Sequence, residues 1–347
     1  MTTKRQDAIL TCLKSQGPAS RESIEHCLRQ AGEICSKVTL LRDLDKLAAA
    51  ALVEKSGAGK ATQYAISTYA ALVLPIDVTA YFSRDADERV LRHERFNFDI
   101  FDGLHHLLMN EEIADLNSLN NAFRQKKAKL SPRLRQKEFE RLTVELAWKS
   151  SRIEGNTYTL LDTERLLKEN ISAAGKTAEE TQMVLNHKKA LDYILEEPSS
   201  YKEITVTKME ELHTLLTHEL NVTKGIRSGM VGIVGTNYRP LDNAFQIREV
   251  MERLAICINK TENTIEKALI AVLMISYIQP FEDGNKRTSR ILGNAILLAD
   301  DYCPLSYRSV DEIEYKKAMI LFYEQNNINY FKQLFLEQFR QATNKYF

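Results

Sequence analysis

The chain of 347 residues has no surplus of either charge: 47 Lys or Arg stand against 47 Asp or Glu. Nucleic-acid binding driven by a global field is therefore excluded, and any such contact has to come from a local patch. Proline (7 residues) and glycine (13 residues) are scarce and no repeat or low-complexity tract occurs, which excludes collagen-like and linker-rich architectures. Apolar runs are short. The longest, near 268–275, cannot span a bilayer, and the polar start M-T-T-K-R-Q-D has no signal core, so neither membrane insertion nor secretion is expected. The five cysteines, Cys12, Cys27, Cys35, Cys257 and Cys303, are odd in number and show no C-x-x-C spacing. That pattern suggests neither a disulfide framework nor a zinc site and fits a reducing cytoplasm. What is present, 44% hydrophobic and 27% charged residues, suits a globular protein of two or three domains, and the periodicity of its segments makes the expected fold mainly α.

Residues 4–16 carry Ile9, Leu10 and Leu13 at helical spacing, and Gly17-Pro18 ends that helix before Ser20 caps a second one reaching about Gln30. A third helix starts at the cap Ser36, with Val38, Leu41, Leu44 and Leu47 expected as its buried stripe. Two β-prone runs, 51–55 and 62–66, flank the loop S-G-A-G-K. G-A-G-K-A-T is not a P-loop, because Glu54 stands where the first glycine belongs and Ala61 where Ser or Thr is required. Three helices followed by a glycine-tipped hairpin resemble a winged helix-turn-helix over residues 1–72. The first 70 residues hold ten Lys or Arg against seven Asp or Glu, which permits phosphate contacts. The resemblance implies that the third helix enters the DNA major groove through Ser36, Lys37, Thr39 and Arg42, with Lys60 of the wing on the backbone. A winged helix used for protein contacts is the alternative.

A helical connector over 73–130 leads to a helical remainder, 131–347. Arg89–Met109 and Arg133–Ser150 read as amphipathic helices, and Thr264–Ile278, apolar nearly all round, as a central buried helix. Tyr315, Leu321, Phe322, Phe331, Leu334, Phe335 and Phe339 mark two closing helices as core. The seven histidines form no H-E-x-x-H arrangement.

The richest segment is Q-P-F-E-D-G-N-K-R-T-S-R, from Gln279 to Arg290. A buried helix stops at Pro280, turns through Asp283 and Gly284, and restarts with the amides of Asn285 and Lys286 free, where an anion gains about 0.3 to 2 kcal/mol. Arg287 and Arg290, three apart, can both address that anion from one helical face. Asp283 is placed to hold Mg2+ between phosphate oxygens. The pattern points to a polyphosphate ligand.

This segment resembles the signature of the Fic family, H-P-F-x-[DE]-G-N-x-R-x-x-R. Pro280, Phe281, Asp283, Gly284, Asn285, Arg287 and Arg290 match it, and Gln279 stands at the position of the family's catalytic histidine. The resemblance implies transfer of AMP from ATP to a hydroxyl side chain of a target protein, an all-helical domain, ATP and Mg2+ as ligands, and Gly284, Asn285, Lys286, Arg287 and Arg290 as the ATP site. An amide cannot take up a proton near neutral pH, and loss of a general base typically lowers a rate by about 100- to 10,000-fold. Gln279 is nevertheless able to hydrogen-bond an incoming hydroxyl.

Two further segments fit the resemblance. Ser150, Glu154 and Gly155 fill the family's inhibitory motif [ST]-x-x-x-E-[GN], which implies that Glu154 pairs with Arg290 and withholds it from the γ-phosphate. The glycine-rich run 224–240 corresponds to the family's β-hairpin flap, with Val231, Ile233 and Val234 as the edge that holds an extended target segment. Both resemblances imply a homodimer. A catalytically silent, ATP-sensing DNA-binding regulator is the alternative function, and phosphotransfer of the Doc type is disfavoured by Gly284 and Arg290.

Overall fold

The computed structural model describes residues 2–347. The side chain of Lys60, and with it the expected wing contact, lies outside the described residues. The chain forms two compact units, residues 1–75 and 76–347, so that 76–130 belongs to the second.

The first unit begins with helix α1 (Lys4–Gln16), strand β1 (Ala19–Ser20), α2 (Arg21–Gln30) and α3 (Lys37–Ala49). Strands β2 (Val53–Ser56) and β3 (Gln63–Ile66) and helix α4 (Thr68–Val73) follow. Ser20 and Ser36 accept from the amides of Ser23 and Thr39 and so fix the starts of α2 and α3. The strands pair antiparallel in the order β1-β3-β2, with Val53 opposite Ile66. Ile9, Leu13, Ile24, Leu28, Leu44 and Tyr64 fill the core between helices and sheet.

Two expectations fail here. Leu40, Leu44 and Leu47, at i, i+4 and i+7, form the buried face of α3, while Val38 is 76% exposed. Val38 lies two residues before Leu40, about 200° around the helix, and so on the opposite side. Cys12 and Cys27 form a disulfide, Cα to Cα 6.2 Å, against the expectation of none. The turn at Gly17 lays α2 back on α1 and brings two distant buried-face positions together; no local spacing encodes that.

The second unit is helical. In order come α5 (Val78–Phe82), α6 (Asn110–Lys129), α7 (Pro132–Ile153), α8 (Leu160–Glu169) and α9 (Ala178–Glu196). Helices α10 (Val206–Leu216), α11 (Ala244–Lys260), α12 (Thr264–Ile278) and α13 (Asn285–Ala299) follow, and α14 (Glu312–Gln325) and α15 (Asn329–Lys345) close the unit. Helix α12 occupies the centre, with every apolar residue from Ile265 to Ile278 buried. It packs most closely on α13 at Gly293, where an added Cβ would lie 2.8 Å from Val272 Cγ2.

The helix expected over Arg89–Met109 does not form; only a 3-10 turn at Phe98–Gly103 interrupts an irregular path. Tertiary bonds replace the helical ladder: Arg92 N donates to Glu324 O at 2.8 Å, Asn97 N donates to the Tyr277 hydroxyl at 3.0 Å, and Phe96 packs on the Tyr277 ring. The run 224–240 is likewise extended without a strand ladder, turning at 234–235 and making one isolated bridge, Arg95 to Arg239. Among the described residues no helix is long and apolar enough to cross a membrane.

Candidate functional site

Helix α12 ends where Gln279 takes a left-handed conformation, φ 51°, and Pro280 prevents continuation. The chain turns through Gly284, φ 78°, and restarts as α13 with no side chain capping its first amides. Gly284 is held close: an added Cβ would meet Thr217 Cγ2 at 3.0 Å. Uncapped amides at the start of a buried helix, beside Lys286 and Arg287, make a site for an anion.

The loop before it is braced from within. Asn285 Oδ1 accepts from Phe281 N at 2.9 Å, and Asn285 Nδ2 donates to Phe281 O at 2.8 Å and to Gln279 Oε1 at 3.0 Å. The Asn285 side chain is therefore a staple of the turn, and its contribution to an anion is its backbone amide. Gln279 is engaged at both ends, since its Nε2 donates to Ser276 O at 2.6 Å. The sequence leaves that amide unconstrained; the fold commits one hydrogen of Nε2 and one lone pair of Oε1. Phe281 is fully buried and stacks on His213, ring centroids 3.8 Å apart, and His213 Nε2 lies 3.0 Å from Asp283 O. Asp283 itself is exposed and pairs with Arg287 NH2 at 2.5 Å.

Arg290 lies behind this turn with its side chain at 0% exposure. It donates from Nε to Ser150 Oγ at 2.9 Å, and from NH2 to Ser150 O at 3.0 Å and to Glu154 Oε1 at 2.7 Å. Glu154 Oε2 also faces Lys286 Nζ at 3.5 Å. Burial raises the Glu154 carboxyl, but the cations of Arg290 and Lys286 outweigh it and hold the group down at about 2. Glu154 is thus an anion near neutral pH. Its position comes from the end of α7: Gly155, φ 97°, donates to Arg152 O and Asn156 N to Ser151 O, a Schellman termination.

A cleft of about 340 Å3 opens over the turn. Glu154, Gln279 and Asp283–Arg287 line one side, Val231–Val234 another, and Met319, Ile320 and Tyr323 of α14 a third. Arg290 does not reach it, because Glu154 lies between. Among the described residues the backbone amides of Val231, Ile233 and Val234 have no hydrogen-bond partner. Of the residues expected from the sequence, the cleft thus brings together Glu154, Val231, Ile233, Val234, Gln279 and Asp283 to Arg287, while Ser150, Gly155 and Arg290 lie outside its lining. Ser36, Lys37, Thr39 and Arg42 lie in the first unit; Ser36 caps α3, Lys37 and Arg42 are exposed and Thr39 is half-buried.

Residues 203–297 match the sequence profile of the Fic/DOC family. The second unit carries a Fic/DOC family domain. Over 159 residues the chain is 30% identical to the protein adenylyltransferase Fic of Drosophila ananassae, which covers 44% of this chain and 31% of that one. With its counterpart in Drosophila erecta it is 31% identical over 159 residues, 44% of this chain and 32% of that one. The chain therefore spans about a third of the length of these curated relatives. Solved structures share the Fic fold: Fic-1 of C. elegans superposes with a TM-score of 0.57 at 20% identity, covering 68% of this chain and 70% of that one. A Fic domain-containing signalling protein of Bacteroides thetaiotaomicron superposes with a TM-score of 0.56 at 19% identity, covering 67% and 94%.

Three residues of the Fic domain and its flanks were not singled out by their sequence. His187 of α9 has Nε2 2.7 Å from Ser150 Oγ and Nδ1 2.8 Å from Met183 O. Burial, with the charges of Arg287 and Arg290, lowers its pKa to about 3, so it is neutral. His213, lowered to about 4 by burial, is neutral as well. Arg227 ties the flap's base to the turn, donating from Nε to Gln279 O at 2.7 Å and from its amide to Pro280 O at 3.0 Å. The available signal was position: His187 stands in the stripe Val184, Ala190, Leu191 and His213 in the stripe Met209, Leu212, Leu216, where a polar residue needs a partner.

Proposed function

We propose that this chain is a Fic-type protein adenylyltransferase restrained by Glu154 and impaired at the chemical step by Gln279. The observation that carries the reading is the buried Glu154–Arg290 pair beside an uncapped helix start: a cation of the signature is present, close to the anion site, and occupied by an acidic side chain. In this reading the amides of Asn285 and Lys286, with Arg287, hold the α- and β-phosphates of ATP, and Arg290 takes the γ-phosphate once Glu154 withdraws. Asp283, an exposed carboxylate on the rim of the cleft, fits a magnesium ion shared with phosphate oxygens; among the described residues no cluster of His, Cys, Asp or Glu offers an all-protein cage. The ion supplies charge neutralisation for the phosphates. The unpaired amides of Val231, Ile233 and Val234 would hold an extended target segment by main-chain pairing.

In the transfer, a target hydroxyl oxygen bonds to the α-phosphorus, the bond from that phosphorus to the bridging oxygen breaks, and pyrophosphate leaves. The hydroxyl proton needs an acceptor. Gln279 offers none near neutral pH, and its amide is already spanned between Ser276 and Asn285. A cytoplasmic setting and a homodimer belong to this reading, the first testable by the thiol state of Cys12 and Cys27 in cells and the second by sedimentation.

The test is a Gln279→His, Glu154→Gly chain incubated with α-labelled ATP, Mg2+ and cell extract. Protein-bound label is expected, and its absence relative to a control that also carries Arg290→Ala ends the proposal. The engaged Gln279 amide also favours a second reading, an ATP-binding regulator without transfer activity that binds DNA through α3. A gel-shift series with genomic fragments, with and without ATP and Mg2+, tests it; no retarded species in either condition removes it.

A further inference from the structure

The segment between α5 and residue 97 lies outside the Fic/DOC match, yet its bonds converge on the flap. Arg89 donates from Nε to Glu324 Oε2 at 2.9 Å and from NH2 to Glu324 Oε1 at 3.1 Å, and the same NH2 donates to Gly235 O at the flap's turn. Glu324 is fully buried, and the Arg89 side chain is only 7% exposed. Tyr81 donates its hydroxyl proton to Glu324 Oε2 at 2.6 Å, and the Arg89 guanidinium lies 5.1 Å from the centre of the Phe82 ring. Farther along, Asn237 Nδ2 donates to Asp87 Oδ1 at 3.0 Å and Arg239 N donates to Glu94 O at 2.8 Å.

These bonds all fall on the outer half of the flap. Its inner half, 231–234, faces the cleft with its amides unpaired, and the ties to the turn come at its base, where Arg227 reaches Gln279 O and Pro280 O. A loop without a strand ladder keeps a defined position only if something behind it holds it. Arg89 is suited to hold it, because its planar fork grips both carboxylate oxygens of a buried anion and has a donor left for a carbonyl, which a lysine lacks the geometry to do.

We infer that residues 81–95 form a fixed strap behind the flap, and that Arg89 is a positioning residue which, through Gly235, sets where an extended target segment pairs. The inference rests on the flap's role in target binding as proposed above. Arg89 touches neither nucleotide site nor turn, so its removal leaves ATP binding in place.

The experiment is limited proteolysis of the full chain with thermolysin, which cuts before apolar residues, with cleavage in 230–236 followed by mass spectrometry. Because Arg89→Ala alone strands a buried carboxylate and can unfold the region, the paired variant Arg89→Leu/Glu324→Leu removes both charges together. Flap cleavage by native-state opening is expected to rise about tenfold in the paired variant, and less in Arg89→Lys, with ATP affinity unchanged. In the Gln279→His, Glu154→Gly background, KM for a labelled hydroxyl peptide should rise while kcat holds. Unchanged flap cleavage in the paired variant, or a parallel loss of ATP affinity, overturns the inference. The cleavage measurement needs no catalysis, so a failure of transfer activity alone would count against the proposed function and not against the strap.

Discussion

Ser150 stands between Arg290 and His187: its oxygen accepts from Arg290 Nε at 2.9 Å, and its proton points to His187 Nε2 at 2.7 Å. Met183 O can only accept, so the proton of neutral His187 is on Nδ1 and Nε2 is the acceptor. The chain of donors runs one way, from guanidinium to hydroxyl to imidazole to carbonyl. Ser150→Ala leaves Arg290 Nε and His187 Nε2 buried without partners, and stability should fall by about 1–3 kcal/mol in urea unfolding. A loss near zero would mean that water satisfies both.

Glu154→Gly frees Arg290 and removes a carboxylate from the rim. Binding of ATP, measured by calorimetry, should tighten about tenfold or more, the scale of one charged hydrogen bond. Without ATP the variant should unfold more readily, because Arg290 is left buried and unpaired, and saturating ATP should restore the lost stability.

Acid should weaken the fold well before the carboxylates titrate. His187 and His213 are held neutral, at about 3 and about 4, while the unfolded chain takes up their protons near the usual 6.5. Stability is therefore complete above that value and declines as pH falls below it, by up to about 1.4 kcal/mol per pH unit for each histidine. The lowered Glu154 carboxyl, near 2, adds its own loss only below the usual glutamate range of about 4.5. Urea midpoints from pH 7.5 to 5 should show the slope, and His187→Gln should remove about half of it.

Two glycines answer to different demands. Gly284→Ala meets a positive φ and Thr217 Cγ2 at 3.0 Å; it should lower stability by about 1–2 kcal/mol and weaken ATP binding together. Gly293→Ala meets Val272 Cγ2 at 2.8 Å with ordinary helical backbone, and should lower stability by about 1–3 kcal/mol through α12 and α13 moving apart. Thermal unfolding with and without ATP separates the two.

Restoring histidine at 279 should be well tolerated by the backbone. Gln279 holds φ 51°, a left-handed conformation that histidine adopts more often than most residues do. Gln279→His should leave the melting temperature within a few degrees of the parent, a shift on the scale of about 1 kcal/mol or less.

The parts of the fold legible in the sequence were those set by local rules. Thr264–Ile278 is helical and buried because its run 268–275 is apolar without a break, and the turn at Asp283-Gly284 follows from a proline and a residue tolerant of positive φ. Caps at Ser20 and Ser36 marked helix starts for the same reason. What escaped was decided by partners far along the chain. Arg89–Met109 has helical spacing, but Tyr277 and Glu324 bond its backbone in another shape. Gln279 and Asn285 lie at the two ends of the turn, but their mutual bond and the bond to Ser276 cannot be inferred from spacing.

Glu154 is the C-cap of α7, immediately before a glycine that breaks the helix. The last turn of α7 is seated in the core, with Ser150, Ser151 and Ile153 fully buried, and Ser150 itself bonds Arg290 and His187. Packing and charge therefore act together to keep the Glu154 carboxylate opposite Arg290, and the pairing is a property of the folded end of α7.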